Sequence, residues 1–299
     1  MSRTLLITFL SLFTVTLCDA DSTDFRLIYS QGQVHFRLAK GEVWNPLTNS
    51  DTLSPQCTLR VQRGGYLLIE SPKGYLEFNI GGNYVISEYV NEIALRSQIA
   101  SEYASKARDS LMKSLRKDEK RYATPLIDLR TDNKDLLSLY PPPTIIYDES
   151  ITLKWRPMDD NIYIVKMYHT EQSQYFYREI NGDQVTVNMR SLNFPTDRCI
   201  YWTVTVKGSE YSSVPKCVYI LNIGESSNIE LPAYEMREEF NLERSALHNL
   251  TMAIYFEEHK VQYKAEEYYE KAWSLSGNSE RYKQIYYDFM ERRNQLVID

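Results

Sequence analysis

Four histidines occur in the 299 residues: His35, His169, His248 and His259. A zinc site needs histidines or cysteines at short, regular spacing. None of the four has such a neighbour. His35 falls in an alternating run and reads as a strand side chain. His248 and His259 stand eleven apart, close to one face of a helix, but no nucleophile accompanies them. Asp159-Asp160-Asn161 has the composition of a calcium loop without the EF-hand spacing. It reads as an acidic turn, with calcium as the alternative. Gly64-Gly65 and Gly81-Gly82 precede neither a Lys-Ser/Thr pair nor a helix in register, so they are turns rather than phosphate cradles. Paired carboxylates for glycoside hydrolysis cannot be placed from spacing alone. Asn249-Leu250-Thr251 is a glycosylation sequon inside predicted helix. The residue types therefore predict no catalytic group, no cofactor and no metal.

The cysteines point to a compartment. Met1–Arg3 carries a positive charge, Thr4–Leu17 is apolar and uncharged, and Cys18-Asp19-Ala20 ends on a small residue. This is the layout of a secretory signal peptide over 1–20, cut after Ala20 and too short to span a bilayer. Lipidation of Cys18 is the alternative, and bulky Leu17 counts against it. Export to a periplasm or cell surface permits disulfides. Folding the chain antiparallel about Gly208-Ser209 sets Cys199 opposite Cys217, which predicts a bridge; two buried thiols are the alternative. Cys57 reads as a buried thiol, since no motif sets a histidine beside it. A net charge of −6 argues against a general nucleic-acid binder. No later stretch is long and apolar enough to cross a membrane, so a soluble or peripherally attached protein is expected.

The elements that must position these residues fall into an α+β, multi-domain order. The expected units are an all-β domain over 21–87, a helix and linker over 88–140, an antiparallel β-sandwich over 141–224 and a helical tail over 225–299. Short runs such as Val34–Leu38, Tyr66–Glu70, Tyr75–Ile80 and Tyr84–Ile86 lie between turn residues, as in a compact all-β domain. From Glu88 to about Arg121 the apolar period becomes helical. Lys113, Arg116, Lys117, Lys120 and Arg121 collect at the end of that helix, where cations suit its dipole; a membrane-surface role for them is the alternative. Pro141-Pro142-Pro143 marks a boundary. Beyond it come Leu153-x-Trp155, Tyr163-x-Val165, a predicted hairpin turn at Asn181-Gly182 and the alternating Val185-x-Val187-x-Met189. Arg237–Lys260, Tyr263–Leu275 and Glu280–Leu296 read as three helices, a hairpin plus a capping helix, with Gly277-Asn278-Ser279 between the last two. The 24 tyrosines suit twisted sheets, with a contact surface as the second reading.

Gly32-x-Val34, Gly41, Leu53, Gly64-Gly65-Tyr66-Leu67 and Gly74 occur in the order seen in the FecR-type periplasmic domain, which this segment resembles. Ser50-Asp51-Thr52 and Ser54-Pro55 replace that family's glycines around the leucine. Members that signal through sigma factors carry a membrane helix ahead of the domain; the leader seen here does not imply that role. Trp155, with Tyr201 or Trp202, resembles the core and corner aromatics of a fibronectin type III-like or immunoglobulin-like module, which implies a sandwich. Met252, Ala253, Phe256, Ala265, Tyr269 and Ala272 are similar in spacing to a tetratricopeptide repeat, with Asn249 and Gly277 replacing its Trp and Pro. One repeat cannot bury its own face, so the tail must dock on the sandwich, a second copy or a partner.

The expectation is an exported, non-enzymatic binding or assembly protein of the cell envelope. A protein partner would be held by the β-module loops and the tail, through Phe256, Tyr263, Tyr269, Tyr282 and Tyr286. An envelope-glycan hydrolase and a self-associating structural or adhesion protein are the alternatives, and peripheral membrane attachment stays open. Deleting Phe240–Asp299 is expected to abolish partner capture and leave both β modules folded.

Overall fold

In the computed structural model the described residues are 24–90, 97–117 and 139–294, apart from positions 40, 49, 149, 159, 160, 171, 172, 190, 193 and 197. The expected signal peptide, Lys120, Arg121, and the Asp159-Asp160 pair lie outside them. The first unit has eight strands: β1 (Phe25–Gln31), β2 (Val34–Arg37), β3 (Asn45–Pro46), β4 (Thr52–Leu53), β5 (Thr58–Val61), β6 (Tyr66–Ser71), β7 (Gly74–Phe78) and β8 (Gly82–Val85). They form two four-stranded antiparallel sheets, ordered β4-β1-β6-β7 and β3-β2-β5-β8. Alternate side chains point to opposite faces of a strand, so Phe25, Leu27, Val34, Leu59, Val61, Leu67, Ile69 and Phe78 form one dry interior, with free Cys57 among them. Close backbone approach explains the glycines. Gly32 has φ +76°, and a Cβ on Gly65 would lie 2.8 Å from the Gln62 carbonyl oxygen. In β6 the run Tyr66-Leu67-Leu68-Ile69 is buried on both faces. Such a run marks a strand covered on both sides, and the second cover is helical.

A short 3-10 turn at Ile86–Glu88 follows, and α1 runs over Gln98–Lys117. The helix thus begins later than the periodicity from Glu88 predicts among the described residues. The middle unit has β9 (Leu139–Tyr140), β10 (Thr144–Ile146), β11 (Ser150–Trp155), β12 (Ile162–Tyr168), β13 (Gln174–Asn181), β14 (Gln184–Asn188), β15 (Cys199–Val206) and β16 (Lys216–Ile220). A five-stranded sheet, β10-β16-β15-β12-β13, faces a three-stranded one, β14-β11-β9. Between them lie Leu153, Trp155, Tyr163, Val165, Met167, Val187, Ile200, Trp202 and Val204. Trp202 is the buried aromatic of β15 and Tyr201 points out. Two expectations need correction. β13 and β14 pair with different partners, β12 and β11, so Asn181-Gly182 is a corner between sheets and not a hairpin. The sandwich is also not wholly antiparallel, because β10 pairs β16 in parallel.

The C-terminal part has four helices: α2 (Ile223–Glu239), α3 (Ala246–Glu258), α4 (Gln262–Leu275) and α5 (Glu280–Asn294). One expected helix, Arg237–Lys260, is thereby two. The Asn222 side chain accepts from the Glu225 N–H at 2.9 Å and starts α2. Pro232 sits inside α2, where it removes one backbone bond without ending the helix. Extended Phe240 breaks the chain, and Ser245 caps α3 by accepting from the His248 N–H at 3.0 Å. The small residues Ala253, Ala265 and Ala272 are buried where α3 and α4 pack closely.

The tail closes onto the first unit. Ile28, Tyr29, Tyr66 and Leu68, on the outer face of β1 and β6, share one apolar cluster with Ala100, Tyr103, Ala107 and Leu111 of α1 and the buried faces of α2 to α5. Thus α1 belongs with the helical layer rather than with a separate linker. Several polar groups trapped there find partners, as burial favours. Tyr66 Oη and Tyr282 Oη lie 2.8 Å apart, and Tyr29 Oη is 2.7 Å from Ser279 Oγ. The Glu77 carboxylate of β7 accepts from the Ser245 hydroxyl and from the Ala246 and Leu247 N–H groups at 2.7 and 3.2 Å. It therefore sits on the positive end of α3. Burial pushes the Glu77 pKa up, and these hydrogen bonds pull against it. The middle unit meets the helices around the α3–α4 turn, where the Lys260 carbonyl accepts from Ile145 N–H at 3.0 Å and Gln262 N–H donates to Thr144 Oγ1 at 2.8 Å.

Candidate functional site

The five aromatics expected to hold a partner are engaged inside the chain. Phe256 is buried and stacks on Tyr268 and Tyr147, with ring centroids 5.5 and 6.1 Å away. Half-buried Tyr263 donates to Asp148 Oδ2 at 2.8 Å. Tyr269 donates to Glu257 Oε2 at 2.6 Å, Tyr282 meets Tyr66, and Tyr286 donates to Glu270 Oε1 at 2.9 Å. Burial pushes the Tyr269, Tyr282 and Tyr286 phenols well up, with neighbouring carboxylates adding to it. An alternating aromatic/small pattern on a helix marks a buried seam whether the covering surface is foreign or the chain's own. Here the cover is the chain's own: Tyr66 of β6 meets Tyr282, Tyr147 of the middle unit meets Phe256, and Phe289 of α5 meets Tyr269, so these rings are engaged internally in this fold.

Aromatic rings do reach the surface on the five-stranded sheet of the middle unit. Along β12, Tyr163, Val165 and Met167 point inward, so Ile164, Lys166 and Tyr168 point out. Along β15, Ile200, Trp202 and Val204 are interior, which turns Cys199, Tyr201 and Thr203 outward. Register sets Tyr168 opposite Tyr201, and Tyr201 opposite Cys217. Lys166 lies opposite both Tyr177 and Thr203. The Tyr168 and Tyr201 rings lie 6.1 Å apart at 29°, and Lys166 Nζ is 5.9 Å from the Tyr177 ring. Tyr201 is 39% and Tyr177 48% exposed. The outcome is a broad face of tyrosines and hydroxyls around the Lys166 ammonium, with the Glu179–Lys207 ion pair beside Ile164. Its outward tyrosines occupy the alternate positions of strands whose inward positions are aliphatic, and that period-two pattern is its sequence signal.

The Cys199–Cys217 disulfide lies on the same face, with Cα atoms 5.5 Å apart. The hairpin register differs from the expected one by two residues. Cys199 is opposite Tyr219 and Cys217 opposite Tyr201, so the bridge runs diagonally. The bridge ties β15 to β16 beneath the exposed ring of Tyr201.

The cleft lined by Arg26, Glu70, Lys73 and Arg108 holds charges that pair with one another, Glu70 with both arginines. His248 stacks on Phe240 at 4.6 Å, and its Nδ1 accepts from the Asn241 N–H at 3.0 Å. Burial pushes its pKa down to about 4. His259 Nδ1 lies 2.8 Å from the Tyr255 carbonyl oxygen. Glu266 and Glu270 both approach the Tyr286 hydroxyl, but Glu266 is tied to Arg293 at 2.5 Å. Among the described residues no group of three or more His, Cys, Asp and Glu could hold a metal ion. The sequon asparagine, Asn249, is buried, and its Nδ2 donates to the Leu242 and Ser245 carbonyls at 2.7 Å. No helix among the described residues is long and apolar enough to cross a membrane. Comparison with known protein families and with curated proteins finds no match to this chain.

Proposed function

We propose that this is an exported binding protein of the cell envelope that holds a protein partner, without turnover, on the outward face of the middle sandwich. The observation that carries the reading is the gathering of Tyr168, Tyr177 and Tyr201 around Lys166 on one rigid, disulfide-tied sheet. Tyrosine gives a large contact area with little rotamer entropy to lose, and interface energy concentrates in such anchors. The apolar leader of residues 4–17 and the bridge support export. The three-on-five strand arrangement around Trp155 and Trp202 supports a fibronectin type III-like or immunoglobulin-like module. The close backbone contact of Gly32 with Gly65 supports a FecR-type first unit, whose matching positions include both. In the tail, α2 exposes Leu231 and Tyr234, three residues apart on its outer side, as a second contact.

A photo-crosslinking side chain placed at Tyr177 tests this. The expected result is a discrete adduct in envelope preparations that a control position on the β15–β16 loop, Glu210, does not give. Tyr177→Ala/Tyr201→Ala should weaken binding of the partner so identified at least tenfold without lowering the melting temperature. Equal adducts from both positions, or unchanged affinity, sink the proposal.

A further inference from the structure

On the far side of the first sandwich from the helices, the outer face of β3-β2-β5-β8 has a different character. Val34, Phe36, Leu59 and Val61 turn into the interior, so His35, Arg37, Thr58 and Arg60 face out, with His35 opposite Arg60 and Arg37 opposite Thr58. Two guanidiniums approach the ring of Trp44, just before β3: Arg60 Cζ is 3.9 Å and Arg37 Cζ 5.0 Å from its centroid. Arg60 Nε also donates to Asn83 Oδ1 at 3.2 Å. Among the described residues neither guanidinium makes an ion pair with a carboxylate, although the chain as a whole is acidic, at −6. In the same β2–β3 loop, Leu38 is 55% and Val43 69% exposed, and Glu42 between Gly41 and Val43 is exposed as well. The Gly41 N–H to Leu38 carbonyl bond, 2.9 Å, holds the turn that presents them.

We propose that this loop and the adjoining sheet face form a docking surface for an anionic lipid bilayer. Leu38 and Val43 enter the boundary between headgroups and acyl chains. Trp44 sits at the interface, where an amphipathic ring is most stable. Arg37 and Arg60, held over its ring, direct their remaining N–H groups to lipid phosphates, which guanidinium recognises bidentately. Two features favour a bilayer over an acidic protein. The aliphatic side chains stand at a loop tip rather than in a pocket, and the cations flank them instead of lining a groove. An exposed valine and leucine beside cations with no carboxylate partner match a surface that is apolar below and anionic above. The face is separate from the tyrosine face, so either proposal can fail alone.

The test is co-sedimentation of the full chain with vesicles of phosphatidylglycerol and phosphatidylcholine, against pure phosphatidylcholine, with tryptophan emission recorded in parallel. Binding to the anionic vesicles, weakened by salt, and a blue shift absent from Trp44→Phe are expected. Arg37→Gln/Arg60→Gln should lower vesicle affinity about thirtyfold, from about fivefold for each cation. Leu38→Ser/Val43→Ser should remove the blue shift and leave only a salt-sensitive association. The substituted side chains lie on the surface, so melting temperatures should stay at the parent value. Failure to bind vesicles, capture of polyglutamate in their place, or vesicle binding indifferent to both substitution pairs would each overturn the proposal.

Discussion

At the scale of single residues, the clearest consequence of burial is His248. Its ring lies against Phe240, and Nδ1 is committed as an acceptor to the Asn241 N–H. Protonation would remove that acceptor and bury a charge. The folded imidazole is held down at about 4 against an ordinary 6.5. A depressed value means that the unfolded chain takes up the proton first. This contribution to stability is therefore complete above about pH 6.5 and is lost as pH falls towards 4, on the order of 3 kcal/mol in all. Glu77 has the opposite sign, because its raised value favours the folded state as pH falls. Comparing the parent with His248→Asn isolates the histidine, since Glu77 is common to both. Denaturant melts at pH 7 and pH 4.5 should show a smaller acid loss in the variant, whatever its absolute stability. Equal losses would mean that the ring is solvated in the native state.

At the scale of elements, the β15–β16 hairpin and its bridge can be judged together. The bridge spans a sequence separation of 18 residues. Closing a loop of that size restricts the unfolded chain by about 3 kcal/mol in the chain-entropy account. Cys199→Ser/Cys217→Ser should lower the stability of the middle unit by roughly that amount while its strands still form. Ile200, Trp202, Val204 and Val218 hold the hairpin from its inner face. Loss below about 1 kcal/mol in chemical denaturation would show that the loop is already ordered in the unfolded state. Because the bridge underlies Tyr201, the same variant should weaken partner binding more than a surface substitution outside the face.

At the scale of the whole molecule, the helices are a cover and not an appendage. Removing Phe240–Asp299 would uncover Tyr66, Leu68, Tyr29 and Ile28 and leave Glu77 without its three donors. Buried side chains of this size cost roughly 1.5–3 kcal/mol each to expose. The truncated chain should therefore lose its first unit to unfolding or aggregation, in contrast to the expectation from sequence that both β modules survive. The middle unit keeps its own interior and should retain its near-ultraviolet circular dichroism and the protected amides of β12 and β15. A truncated protein in which both units stay protected from hydrogen exchange would show that the interface contributes little.

Local pattern alone determined much of this protein. Period-two runs located most strands, the 3.6-residue period located α1, α4 and α5, and the spacing of Cys199 and Cys217 located a bridge. Each rests on contacts between near neighbours, for which side-chain order along the chain is sufficient. What the pattern left open is which surface covers which. Tyr282 on a helix and Tyr66 on a strand carry no mark of each other across 216 residues. Asn181-Gly182 makes the same local turn whether β14 then joins β13 or crosses to β11. Apolar burial is non-directional: it requires that Phe256, Tyr269 and Tyr282 be covered, without naming the cover. Only the tertiary structure decides that the cover is the chain's own, with Tyr66 over Tyr282, Tyr147 over Phe256 and Phe289 over Tyr269, and this leaves the tyrosine face of the middle unit and the Arg37, Trp44 and Arg60 side chains on the surface.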